Sequence, residues 1–155
     1  MKFDAPWGRE LTVLTSITTA MMLGLAAFVW SKGGELVAAL LLTLHAIPLA
    51  LTVRSYEIAP GELRIRRLLW DTRWPLDAAS TATPRPDAMV QSWRLWGNGG
   101  VFAFSGHFSN AALGRYRAFV TDFKRTVVIR TARGTVVVSP DRPQEFAAAF
   151  GKRTS

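Results

Sequence analysis

Arg64, Arg66 and Arg67, with Arg73 shortly after, form the one group of side chains in this sequence with an evident binding chemistry. Arg64 and Arg66 fall on one face of any extended strand, and planar guanidinium forks match the oxygens of a phosphate. These four arginines are therefore the candidate anionic headgroup site, close to Arg54. Other chemistry is sparse. The chain has two histidines, His45 and His107, and no cysteine, so disulfides and thiolate metal sites are excluded, and neither a metal nor a cofactor is expected. Ser105-Gly106-His107 sets a hydroxyl near an imidazole but lacks the strand-to-helix elbow of a nucleophile, and reads as a turn. Asn98-Gly99-Gly100 lacks the Gly-Lys-Ser/Thr ending of a phosphate loop and reads as a hairpin turn. The acidic residues are scattered, so no carboxylate pair is available for acid and base work. No residue is nominated as catalytic, and an enzyme is not expected.

The elements that would position these arginines divide the chain in two. Residues 11–30 are uncharged, and as a helix rising about 1.5 Å per residue they span roughly 30 Å, the thickness of a bilayer core. A second uncharged run, residues 36–53, follows the polar turn 31–35. The spacing predicts a helical hairpin over 11–30 and 36–53, a membrane anchor occupying residues 1–53. The small residues Ser16, Ala20 and Gly24, and Ala39 with Thr43, are expected on the faces where the two helices meet. His45 has no acidic partner in either run, and Thr12, Thr15 or Thr19 can satisfy it; Pro48 should kink the second helix nearby. Lys2 and Arg9 precede the first helix and Arg54 follows the second, whereas the turn carries only Lys32. By the positive-inside rule both termini are cytoplasmic.

Residues 1–53 hold three basic and three acidic side chains, so the whole formal charge of +8 falls on residues 54–155. A basic domain beside a membrane already faces a polyanion, since headgroups attract each nearby Lys or Arg by about 1 kcal/mol. The charge therefore requires no nucleic acid. The abundance of arginine and alanine points to a GC-rich bacterial genome, hence a multi-pass protein of the bacterial plasma membrane.

After Arg54 the pattern changes to short β-like stretches. Strands are expected at 55–58 and 63–66, 89–95, 101–104, 116–121, 126–131 and 135–138, with tight turns at 71–73 and 97–100 and a loop over 77–88. Asp141 is placed to cap a final helix carrying Phe146 and Phe150 and running to about Lys152. About seven antiparallel strands and one helix imply a mainly β domain, a partly open barrel, over residues 54–155.

Gly106, Asn110, Leu113-Gly114, Tyr116 and Thr121, followed by Ser139-Pro140-Asp141, Pro143 and Phe146, resemble the bacterial pleckstrin-homology-like (PH-like) domains of small membrane proteins. The resemblance covers roughly residues 54–152 and implies seven strands capped by a C-terminal helix, attached to N-terminal spans. The expected function is a noncatalytic scaffold that binds a protein partner or itself at the cytoplasmic face. The alternatives are an anionic lipid-headgroup sensor using the juxtamembrane arginines, and a subunit of a transport or enzyme complex.

Overall fold

The computed structural model describes residues 1–151. In chain order the elements are β1 (Lys2–Asp4), α1 (Arg9–Ser31), α2 (Glu35–Ala50), β2 (Val53–Ala59), β3 (Glu62–Arg67), β4 (Asp71–Pro75), β5 (Thr81–Pro84), β6 (Trp93–Gly99), β7 (Phe104–Asn110), β8 (Gly114–Val120), β9 (Val127–Thr131), β10 (Gly134–Val138) and α3 (Pro143–Gly151). The expected end of α3 at Lys152 lies outside the described residues.

α1 is long and apolar enough to cross a membrane. α2 is shorter than expected at 16 residues, because Val53 already belongs to β2. The reason is tertiary: Val53 is buried in the core beneath the sheet, and the chain turns through Leu51 and Thr52 to put it there. The helices pack along Thr19, Met22 and Ala26 of α1 and Ala38, Leu41 and His45 of α2, which are the shielded positions at helical spacing. Ser16, Ala20 and Gly24, and Ala39 with Thr43, were expected at this seam; instead all five are exposed, and a Cβ on Gly24 would meet nothing within 4 Å. Thr19 Oγ1 lies 3.0 Å from His45 Nε2, so the threonine expected to satisfy the imidazole does so.

Two sheets form the rest. One is antiparallel, in the order β1-β2-β3-β4; the other runs β5-β9-β10-β8-β7-β6. Nine strands follow residue 52 where about seven were expected, and the antiparallel expectation fails at one place: β10 lies parallel to β8. β9 and β10 form a hairpin, and docking its second strand onto β8 fixes that direction. Residues 71–73, expected as a turn, are strand β4, and the actual turn is Leu68–Trp70. The 77–88 loop contains β5. Strand β6 begins at Trp93 and runs through Gly97 and Gly99 of the expected 97–100 turn, so the β6–β7 connection starts only at Gly100 and covers residues 100–103. Asp141 does not sit at the cap. The first helical bond runs from Phe146 N to Arg142 O, and the Asp141 carboxylate instead accepts from Arg142 Nε at 3.1 Å.

The core between the sheets is closed on one side by α3, whose Phe146 is fully buried against Phe3 and Tyr56. On the opposite side β4 and β6 are edge strands that do not pair with each other, so the barrel is not closed. A second core covers the other face of the six-stranded sheet, where Leu11 of α1 packs with Met89, Phe104, Phe108 and Val120.

A buried polar network joins the two sheets. The Tyr56 hydroxyl donates to Phe119 O at 2.6 Å and accepts from Ser139 N at 3.2 Å, while Ser139 Oγ accepts from Thr121 N at 2.8 Å. Burial pushes the Tyr56 phenol up to about 12 from its usual 10, with the hydroxyl bonds opposing. The folded state therefore holds this proton more tightly than the unfolded chain. Its contribution is whole below pH 10 and vanishes as pH rises through 12, a loss of about 3 kcal/mol at ~1.4 kcal/mol per unit. Denaturant midpoints measured from pH 9 to 12 should fall in that window, and Tyr56→Phe should flatten the fall.

Candidate functional site

The four sequence-nominated arginines do not converge. Register places Lys2, Glu57, Arg64 and Arg73 in one cross-strand row, and Asp4, Ser55, Arg66 and Asp71 in the next, on the outer face of the four-stranded sheet. With Glu62 one position along, that face carries four basic and four acidic groups and is neutral. Arg64 Nε donates to Glu62 Oε1 at 2.5 Å, and Arg66 bridges Glu57 at 3.3 Å and Asp71 at 3.1 Å. These exposed pairs are screened by solvent and add little to stability, but they occupy the forks that a phosphate would need. Among the described residues Arg73 and Arg54 have no carboxylate partner; both line a cleft of about 770 Å³ with Lys2, Leu68, Leu69 and Trp70.

Arg67 points the other way. It is only 8% exposed, sharing the inner face of β3 with Leu63 and Ile65. Its guanidinium donates to Thr72 Oγ1 at 3.0 Å and to Ser105 Oγ at 3.1 Å, and lies 5.0 Å from the centre of the Phe119 ring. Burial, and then the like charge of Arg117, hold its pKa below the ordinary arginine value. Ser105 thus serves as an acceptor for Arg67, and Ser105-Gly106-His107 lies within strand β7 and not in the expected turn.

The unexpected surface begins at Arg117. On β8 it shares a face with Phe119, stacking 5.2 Å from the ring, and it lies directly across from His107 of β7, itself opposite Trp96 of β6. One step along, Arg115, Ser109 and Trp93 form a parallel row. A bulge between Arg94 and Trp96 brings both tryptophans to this face. Trp93 and Trp96 are 79% and 78% exposed. Beyond β8, Arg133 stacks 5.1 Å from the Trp74 ring and completes a cleft of about 260 Å³ lined by His107, Arg115, Arg117 and Arg133. No carboxylate lines it. Burial and the neighbouring Arg133 lower the Arg117 pKa, and its Nε is buried with no acceptor. This half of the inner sheet face is what the open β4–β6 side leaves uncovered.

Chemically, the surface combines fixed guanidinium donors, an imidazole and two exposed indoles beside an unpaired strand edge. Arginine and tryptophan are the residues that most often dominate binding energy at protein interfaces. Among the described residues no group of three His, Asp or Glu is placed to hold a metal. Alternating Arg115 and Arg117 was the only trace of this site visible along the chain; its other members come from β6, β7 and the β9–β10 turn.

A family model described as Bacterial PH domain matches residues 54–154. No curated protein and no solved structure matches the chain.

Proposed function

The chain belongs to the bacterial PH domain family, and from that premise we propose that it is a noncatalytic, membrane-anchored interaction module whose β domain binds an acidic protein surface, a partner's or another copy's. In this reading residues 1–53 are the anchor, α1 and α2 form its hairpin, and residues 54–155 are displayed on the cytoplasmic side of the bacterial plasma membrane. β1, from the anchor segment, joins the domain's sheet and couples the two parts.

The observation that carries the proposal is the face formed by Trp93, Trp96, His107, Arg115, Arg117 and Arg133. It is basic without acidic compensation and lies next to the exposed edge of β6, where an extended segment of a partner can add as a strand. The headgroup-sensor alternative is weaker, because Arg64 and Arg66 are committed to Glu57, Glu62 and Asp71.

The test is photo-crosslinking from position 95 of the full chain in its native membrane. Protein adducts, including self-adducts, are expected. Trp96→Ala or Arg117→Ala should reduce them in step with a 10- to 100-fold loss of affinity, the range for an interface hot spot. Adducts that are absent, or indifferent to both substitutions, would reject this face.

A further inference from the structure

The turn joining β3 to β4 is Leu68-Leu69-Trp70, and all three side chains face outward, Leu69 with 71% of its surface exposed. Tight turns in water draw on Gly, Asn, Asp and Ser, whose side chains are solvated or bond the turn itself. This one is closed by Arg67 N donating to Trp70 O at 3.1 Å and uses none of them. Its apolar side chains therefore call for a surface to bury them.

Strand register identifies that surface. Val53, the residue after the α2 turn, pairs with Arg67, so the tip extends beyond it, level with Leu51 and Thr52. Asp4 pairs with Ser55, so residues 5–8, leading into α1, leave by the same end. Both helices and the apolar tip thus share one end of the sheet. α2, at 16 residues, reaches about 24 Å against a bilayer core of about 30 Å. Leu11 and Thr15 of α1 are buried against the β domain, Thr15 Oγ1 accepting from Phe102 N at 3.0 Å. The first turns of α1 are therefore covered by protein on one face, with Thr12, Val13 and Leu14 left exposed on the other, and a bilayer holding the rest of the helix comes up to this end of the sheet.

We propose that Leu68, Leu69 and Trp70 are seated in the boundary between headgroups and acyl chains of the same bilayer that holds α1 and α2, as a third point of attachment that fixes the tilt of the domain. Charge agrees with this placement. Arg54 and Arg73, exposed arginines with no carboxylate partner among the described residues, line the adjoining cleft with Lys2, Asp4 and Asp71 and lie just behind the tip, where lipid phosphates would be met. Tryptophan favours that boundary because its ring is apolar and its N–H finds water. The aromatic and basic partner face is a different surface, so the tip holds the domain in an orientation and does not compete for the partner.

The inference rests on the membrane-anchor reading, and the test separates the two. As the chain has no cysteine, single-cysteine variants of the full protein can carry a nitroxide without background labelling. The label would be placed at Leu69→Cys, at Leu23→Cys in α1 and at Leu95→Cys in β6, in vesicles of phosphatidylethanolamine and phosphatidylglycerol. Collision with oxygen, concentrated in the bilayer, is compared with collision with a water-soluble nickel chelate. Positions 23 and 69 are expected to favour oxygen, with 69 the shallower, and 95 to favour nickel. If 69 matches 95 while 23 favours oxygen, the tip is in water and the inference fails with the anchor intact. Shielding of 69 from both reagents means that protein covers the tip, and also overturns it. If 23 favours nickel, the anchor reading itself falls and takes the inference with it.

Discussion

Phe146→Ala is expected to destabilise the fold by about 3–5 kcal/mol, the range for emptying a fully buried phenylalanine site. Phe146 is the side chain through which α3 closes the space between the sheets. Its ring lies 5.1 Å from Phe3 and 6.5 Å from Tyr56, both roughly edge-to-face, and 6.1 Å from Phe150. These partners come from β1, β2 and α3 itself, so the cavity cannot collapse by moving one of them alone. The loss should also loosen β1, which has only three residues and holds its place by pairing with β2 and burying Phe3. Urea unfolding of the full chain at fixed detergent concentration measures it, with Phe146→Leu as a volume-sparing control expected to lose less than about 1.5 kcal/mol. A cost below 1 kcal/mol for the alanine variant would mean that α3 is not the plug.

That helix is legible in the sequence because Ser139-Pro140-Asp141, Pro143 and Phe146 set a break in the strand pattern, a rigid first turn and an apolar position in order. Strands β2, β3, β8, β9 and β10 were legible for a similar local reason: alternation such as Leu63, Arg64, Ile65, Arg66 states which face is inside. What was missed depends on distant partners. β1 is a strand only because β2 lies beside it. β4 shows two charges and a threonine around a single buried Trp74, and a polar edge strand of that kind looks like a turn along the sequence. Val53 belonged to an apolar run that could continue a helix, and only its place in the intersheet core ends α2 before it.

The site followed the same division. Sequence spacing shows four arginines but not the acids beside Arg66, since Glu57 and Asp71 come from the two neighbouring strands and, with Glu62 on the same strand as Arg64, cancel the charge of that face. Conversely, Arg117 and Arg133 are brought to one cleft by the parallel docking of β10 on β8, a non-local feature with no local signature. The excess positive charge was thus visible in composition, but its address was not. The apolar residues Leu68–Trp70 stand out along the sequence, but the polar run 71–73 beside them looks more like the turn, and only the pairing of β4 with β3 shows otherwise.

Gly106→Ala tests whether the β6–β7 pairing builds the partner face. Gly106 and Gly97 lie directly opposite each other, with φ of +151° and +111°, and a Cβ on Gly106 would strike the carbonyl oxygen of Trp96. A backbone atom in a paired strand cannot swing aside as a side-chain end can. The expected cost is therefore about 3–5 kcal/mol, strain at positive φ added to overpacking. Relief comes by opening the β6–β7 pairing, which carries Trp93 and Trp96 away from His107 and Arg117. Hydrogen exchange of amides 93–99 should accelerate at least tenfold, and crosslinking from position 95 should be lost with it. Gly114→Ala is the matched control: its φ is +66° but a Cβ there meets nothing within 4 Å, so strain alone, about 1–2 kcal/mol, is expected. Equal costs at the two glycines would show that the close backbone approach at Gly97 and Gly106 is not what holds β6 in place.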